Sequence, residues 1–217
     1  MSLNFEYNLK KDAENHRAIA HAKYIGKPSK VIEYFQVKFG GDFSDDKLKR
    51  FIKGLIDYNK IDIDQKVLDF KSTWQQVELE FELRMKNLFG DILSLDMFTA
   101  YITTNDRCTY STRDNSFFLT VFSKQPRLVI SHELFHLFTC QIFSKELNAM
   151  PQKAAYDTKE SLTELLNFTC KDIIGAPDLG YDQHRELRKL ICELWPKNNN
   201  LKKIFNKVAN AAQSKHN

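Results

Sequence analysis

His132 and His136 stand four residues apart with Glu133 beside the first, in the string His132-Glu133-Leu134-Phe135-His136. On a helix that spacing puts two side chains on one face, one turn apart, so both imidazoles can present a nitrogen to a single point. Two such nitrogens suit a tetrahedral divalent ion, and the adjacent carboxylate falls where a metal-activated water needs a base. With six His and twelve Glu among 217 residues, the string arises by chance in roughly one sequence in a hundred, so coincidence is a poor account. Residues 128–143 read Leu-Val-Ile-Ser-His-Glu-Leu-Phe-His-Leu-Phe-Thr-Cys-Gln-Ile-Phe, with Glu133 the only carboxylate. A helix this apolar all round should be buried, where a lone carboxylate must protonate or be paired, and a dication removes the difficulty. The alternative is a core helix whose histidines bond backbone carbonyls and whose Glu meets an arginine.

A further ligand has to come from elsewhere in the chain. Glu160 and Glu164 offer carboxylates four apart, and both can face the metal helix if one helix carries them. Asp157-Thr-Lys-Glu160 and Ser161-Leu-Thr-Glu164 each also fit a capping box, in which the Glu only bonds a backbone N–H at a helix start. A start at Ser161 leaves Glu160 outside the helix; the good helix formers of residues 152–156 favour an earlier one.

The elements that must hold these groups are mostly helical. Residues of about 10–24 and 29–39 read as helices separated by Gly26 and Pro28, with Gly40-Gly41 closing the second. Ser44 is a candidate N-cap for a helix to about Tyr58. From Val67 to Phe89, apolar residues recur at three and four, with one missed step at Arg84, which predicts one long amphipathic helix. Residues 97–103 and 116–122 are short, rich in β-branched and aromatic residues, and separated by the turn-like Thr112-Arg113-Asp114-Asn115, which predicts an antiparallel pair. The second strand leads within a few residues into the metal helix, whose first turn accepts Pro126.

Composition narrows the function classes. The chain can bury a full core, since 42% of its 217 residues are hydrophobic. Its net charge of +4 is spread along the sequence, which gives nucleic-acid binding little support. No stretch approaches the ~18 apolar residues of a membrane span. The N-terminus lacks a basic region followed by an apolar segment, so the expected location is cytoplasmic; secretion stays open because Met1-Ser2-Leu3 also reads as an expression scar behind which a leader was removed. Cys108, Cys140, Cys170 and Cys192 are far apart and form no CxxC pair, which argues against structural zinc through thiolates.

In these residues, over roughly 116–164, the chain resembles a small gluzincin-type zinc metallopeptidase, the zincin branch in which HExxH is completed by a Glu on a following helix. The metzincin pattern fails, because Thr139 and Ile142 stand where Gly and a third His belong. The resemblance implies an α+β, zincin-like fold: mostly helical, with a small, mainly antiparallel sheet before the HExxH helix. It implies one domain over 1–217 in two lobes, about 1–145 and about 146–217. It also implies Zn2+ held by His132, His136 and Glu160, with Glu164 accepting the other ring N–H of His132; Glu164 as ligand would put Phe168 in that orienting role. Glu133 is then the general base for hydrolysis of a peptide or protein substrate lying along Phe118, Leu119 and Thr120. Tyr181 or His184 is implied as the oxyanion donor. Two other classes remain open: a zincin-like regulatory module acting on one dedicated partner, and a helical interaction protein with a fortuitous motif.

Overall fold

The computed structural model describes residues 1–22, 29–95 and 97–216. The fold is α+β, about 63% helical with a small mixed sheet. The chain forms two compact units, Met1–Gln76 with Asp96–Ile130, and Val77–Leu95 with Ser131–Asn217. The expected division near 145 thus differs from the one found, which falls inside the helix that carries His132 and His136 and recruits a helix from the N-terminal half.

The first unit begins with β1 (Ser2–Tyr7), α1 (Leu9–His21), α2 (Lys30–Phe39), α3 (Asp45–Tyr58) and α4 (Ile63–Gln75). Asn8, Ser29 and Asp62 cap α1, α2 and α4 through their side-chain oxygens, satisfying N–H groups that have no partner within the helix. Ser44 stands at the N-cap of α3 as expected but makes no side-chain cap bond. The expected break at Gly26 and Pro28 lies outside the described residues. Phe35, Leu48, Phe51 and Ile52 form the apolar centre with Ala13, and the Phe35 and Phe51 rings meet edge to face at 5.1 Å.

The unit's sheet runs in the order β1-β2-β4-β3, with β2 (Met97–Thr103), β3 (Tyr110–Ser111) and β4 (Ser116–Thr120). β1 and β4 both pair with β2 in parallel, and only β3 and β4 are antiparallel. The mainly antiparallel sheet is therefore corrected. The turn at residues 112–115 is real, with Asn115 in the left-handed region at φ 48°, but it joins β4 to the two-residue β3. Residues 104–115 lie between β2 and β4, about the dozen that a parallel connection requires. β1 was not foreseen, although Leu3 and Phe5 are buried between polar neighbours at the strand period of two.

Past β2 the chain is held by a buried polar knot. The fully buried carboxylate of Asp12 accepts from the Thr103 and Thr104 hydroxyls at 2.5 and 2.9 Å and from the Thr104 N–H at 3.1 Å. These bonds supply what a buried carboxylate loses on leaving water.

The second unit contains α5 (Glu78–Phe89), most of α6 (Pro126–Ile142), α7 (Ser144–Asn148), α8 (Gln152–Leu162), α9 (Leu165–Thr169), α10 (Lys171–Ile174), α11 (Arg185–Leu194) and α12 (Leu201–Ser214). The single long helix expected over 67–89 is two, because Val77 leaves helical backbone at φ −126°, ψ −8°. Arg127 takes up the end of α4, donating to the Thr73 carbonyl at 3.2 Å and to the Gln76 side chain, so groups that lack intrahelical partners are satisfied without continuation. The break leaves the apolar spacing intact, so periodicity alone does not reveal it. Within this unit Phe89 meets Phe135 at 5.2 Å and Phe81 stacks on Phe138 at 6.4 Å, while Phe143 stacks on Phe205 at 3.9 Å.

Candidate metal centre

All the groups of the candidate site belong to the second unit. α6 starts with Pro126 in its first turn and is buried over its central length, with Leu134, Phe135 and Phe138 fully enclosed. Its apolar sides fix the rotation of the helix, and one turn separates His132 from His136. α8 begins at Gln152, so Glu160 is helical and the later start at Ser161 is excluded.

The three expected ligands converge. One donor atom from each of His132, His136 and Glu160 lies within 4.8 Å of the other two. The two Nε2 atoms are 2.9 Å apart, and the Glu160 oxygens lie 3.4 Å from His136 Nε2 and 3.7 Å from His132 Nε2. Ligand atoms at about 2.0–2.1 Å from a tetrahedral zinc are about 3.3 Å from one another. The observed edges bracket that value, and two imidazoles with a carboxylate are a zinc donor set. The residues present therefore fit the ion.

The orientation of His132 has a different source from the one expected. Its Nδ1 lies 2.6 Å from Asp178 Oδ2; a carboxylate only accepts, so Nδ1 carries a proton and Nε2 is the nitrogen left facing the shared focus. Glu164 does not take this role. It pairs with Arg188 at 2.7 Å and accepts from Asn167 Nδ2 at 3.1 Å. The same-face argument fails because α8 stops at Leu162 and the chain turns at Thr163 before α9. Asp178 is itself wired by Asn167, which takes its N–H at 2.7 Å and its carbonyl at 2.8 Å. The available signal was Pro177-Asp178-Leu179-Gly180, a turn sequence with one carboxylate ahead of the next helix.

Electrostatics follow from burial and this crowding. Burial opposes charge on His132, but Asp178 first, then Glu160 and Glu133, hold its imidazole up to about 10. Burial likewise opposes charge on Asp178, yet His132 and Arg188 keep it below the ordinary carboxylate range. Glu160, against the effect of burial, is lowered to about 2 by His136 and His132. Burial pushes Glu133 up to about 7, with Glu160 and Asp178 adding to it against His132, and pushes His136 down. Glu133 is 8% exposed, and among the described residues none hydrogen-bonds its carboxylate.

The remaining expected residues lie elsewhere. His184 is fully buried and set on Asp157 at 3.0 Å, and its other nitrogen, Nδ1, has no hydrogen-bond partner among the described residues. Asp157, a buried carboxylate that the sequence offers only as a helix-cap residue, also takes His216 at 2.7 Å and Lys153. Tyr181 sets its ring against His184 at 5.9 Å, 75° from parallel. Phe118, Leu119 and Thr120 are on β4, which is not a sheet edge: the Phe118 N–H goes to the Thr109 carbonyl at 2.8 Å, Leu119 is fully buried and the Thr120 carbonyl accepts from Ser123. The expectation of a substrate lying along these residues is therefore corrected: β4 has strands on both sides.

Among the described residues no helix is long and apolar enough to cross a membrane. Comparison with protein-family models, with curated proteins and with solved structures finds no match.

Proposed function

We propose that the second unit carries a zinc-dependent hydrolytic centre for peptide bonds, with His132, His136 and Glu160 as ligands and Glu133 as general base. The observation that carries this reading is the convergence of the two Nε2 atoms, 2.9 Å apart, on the Glu160 carboxylate, whose Oε1 lies 3.4 Å from His136 Nε2 and whose Oε2 lies 3.7 Å from His132 Nε2, a spacing and donor chemistry that suit a tetrahedral zinc with one position left open. Zinc in such a site supplies Lewis acidity and a water acidified to about 7.

The protein's own groups then divide the work. Asp178 keeps the His132 tautomer, and Glu160, held ionised, supplies the anionic ligand. Glu133 is buried with no hydrogen bond from the described residues to compete for its oxygens, and a carboxyl pushed up to about 7 exchanges protons with water near neutrality. It takes a proton from the attacking water and returns it to the leaving amine. Of the two candidate oxyanion donors, His184 is the weaker. Burial lowers its affinity for a proton, and a neutral ring that donates Nε2–H to Asp157 has only a lone pair on Nδ1. That leaves the O–H of Tyr181, whose ring lies against His184, as the donor to test.

Zinc content of the purified protein, together with peptide hydrolysis by parent and Glu133→Gln, tests the reading. One bound zinc and hydrolysis lost only in the variant support it; equal cleavage by both removes Glu133 from the chemistry. Zinc binding without hydrolysis of any peptide offered would favour a regulatory module.

A further inference from the structure

Arg188 is a charged side chain only 5% exposed, on the same buried face of α11 as Leu187 and Ile191. A buried arginine needs its donors matched, and each match here falls on the wall behind His132. Nη1 donates to the Thr163 hydroxyl at 2.9 Å. Nη2 pairs with Glu164 at 2.7 Å, lies 3.2 Å from Asp178 Oδ1, and donates to the Asp178 backbone carbonyl. The two oxygens of Asp178 are thereby divided: Oδ2 faces His132, while Oδ1 takes Arg188 and the Gly180 N–H at 2.9 Å.

Gly180 supplies an independent observation. Its φ is +60°, and a β-carbon there would lie 2.7 Å from Nη1, 2.8 Å from Cζ and 2.9 Å from Cδ of Arg188. Glycine is required twice, for the backbone and for the space the guanidinium fills. The planar group lies against the very turn that presents Asp178, and any side chain on that turn would push it away.

We propose that Arg188 is a positioning residue of the metal site: seated on the glycine turn, it fixes the Asp178 carboxylate and, through it, the ring of His132. The inference rests on the zinc reading. It assigns the anion Glu164 as well, which serves to neutralise and hold Arg188 rather than to meet a histidine.

The test is zinc affinity, measured by competition with a chelator, in the metal-free parent, R188M, R188K and G180A, alongside the visible spectrum of the Co2+-loaded proteins and their melting temperatures. R188M should bind zinc about 10- to 100-fold more weakly, as for other groups that orient a metal-bound His. R188K, which keeps the charge but loses the fork, should fall between R188M and the parent. G180A leaves every charge in place and should weaken binding through displacement of the guanidinium; it decides the matter if R188M does not fold. Parent-like zinc affinity and an unchanged Co2+ spectrum in R188M and G180A, with only melting lowered, would reduce Arg188 to a structural ion pair and overturn the proposal. A parent that binds neither ion is distinguishable from this, since it refutes the metal reading before any variant is compared.

Discussion

Around the His132–His136 focus, the carboxylates of Glu133, Glu160, Glu164 and Asp178 gather with the guanidinium of Arg188. Four negative groups against one positive leave a formal charge of −3 when both imidazoles are neutral, and a dication brings it to −1. Without metal, protons must do part of that work: Asp178 and its neighbours hold His132 up to about 10 against burial, and burial, with Glu160 and Asp178 adding to it, pushes Glu133 up to about 7. Zinc added to metal-free protein should therefore stabilise the native state strongly. At free zinc 1,000 times its dissociation constant, binding to the folded form alone contributes about 4 kcal/mol. A domain of 150–250 residues shifts by about 2–4 °C per kcal/mol, so melting should rise by roughly 8–16 °C. Calorimetry of chelator-treated protein with and without zinc reads the shift; if the two units melt separately, it belongs to the transition of the unit containing residues 131–217. Glu160→Gln keeps the shape of the side chain but removes the ligand charge, and should lose most of the response. Coincident melting curves for the treated and zinc-supplied parent would refute the charge argument.

Three other outcomes are expected. Glu133→Gln should keep its zinc and lose hydrolysis by about 100- to 10,000-fold, the usual contribution of a general base; loss of zinc in that variant would place Glu133 among the ligands instead. Phe135→Ala removes a fully buried ring packed on Phe89 at 5.2 Å, and should destabilise by about 3–5 kcal/mol in urea titrations. A loss under about 1 kcal/mol would mean the helix is less enclosed than described. Asp157 sits in a site whose burial favours its neutral form, yet Lys153, His216 and His184 hold it below its ordinary value of 3.8. Its folded value being the lower one, its stabilisation is complete above that ordinary value and fades as pH falls below it. The stability gap between parent and Asp157→Asn, about 3 kcal/mol or more at pH 7, should narrow in acid; a gap independent of pH would show that the pairing is not ionic.

The residues of the candidate metal centre were legible because their geometry is local. A spacing of four within a 17-residue helix forces His132 and His136 together whatever the rest of the chain does, and Glu160 needed only a helix start before it. Apolar residues around the string also announced burial. Continuity is what the apolar period does not report: a single helix through Glu160 and Glu164, and another from Val67 to Phe89, fit the pattern, yet both segments bend at one or two residues without disturbing it. The strand pair erred in the same manner, since a turn at 112–115 is a local signal but the identity of its first strand is not.

Spacing, burial and residue chemistry along the chain were enough to specify two imidazoles, an adjacent carboxylate and a helical, apolar setting. The partner of the first imidazole lies 46 residues away, in a loop whose course depends on Asn167, Gly180 and Arg188 all being satisfied at once. Hydrogen-bond partners across that distance are chosen by packing, which places many carboxylates at comparable sequence cost and brings only one within reach. That is why Asp178, rather than Glu164, holds His132, and why sheet direction too was settled in three dimensions.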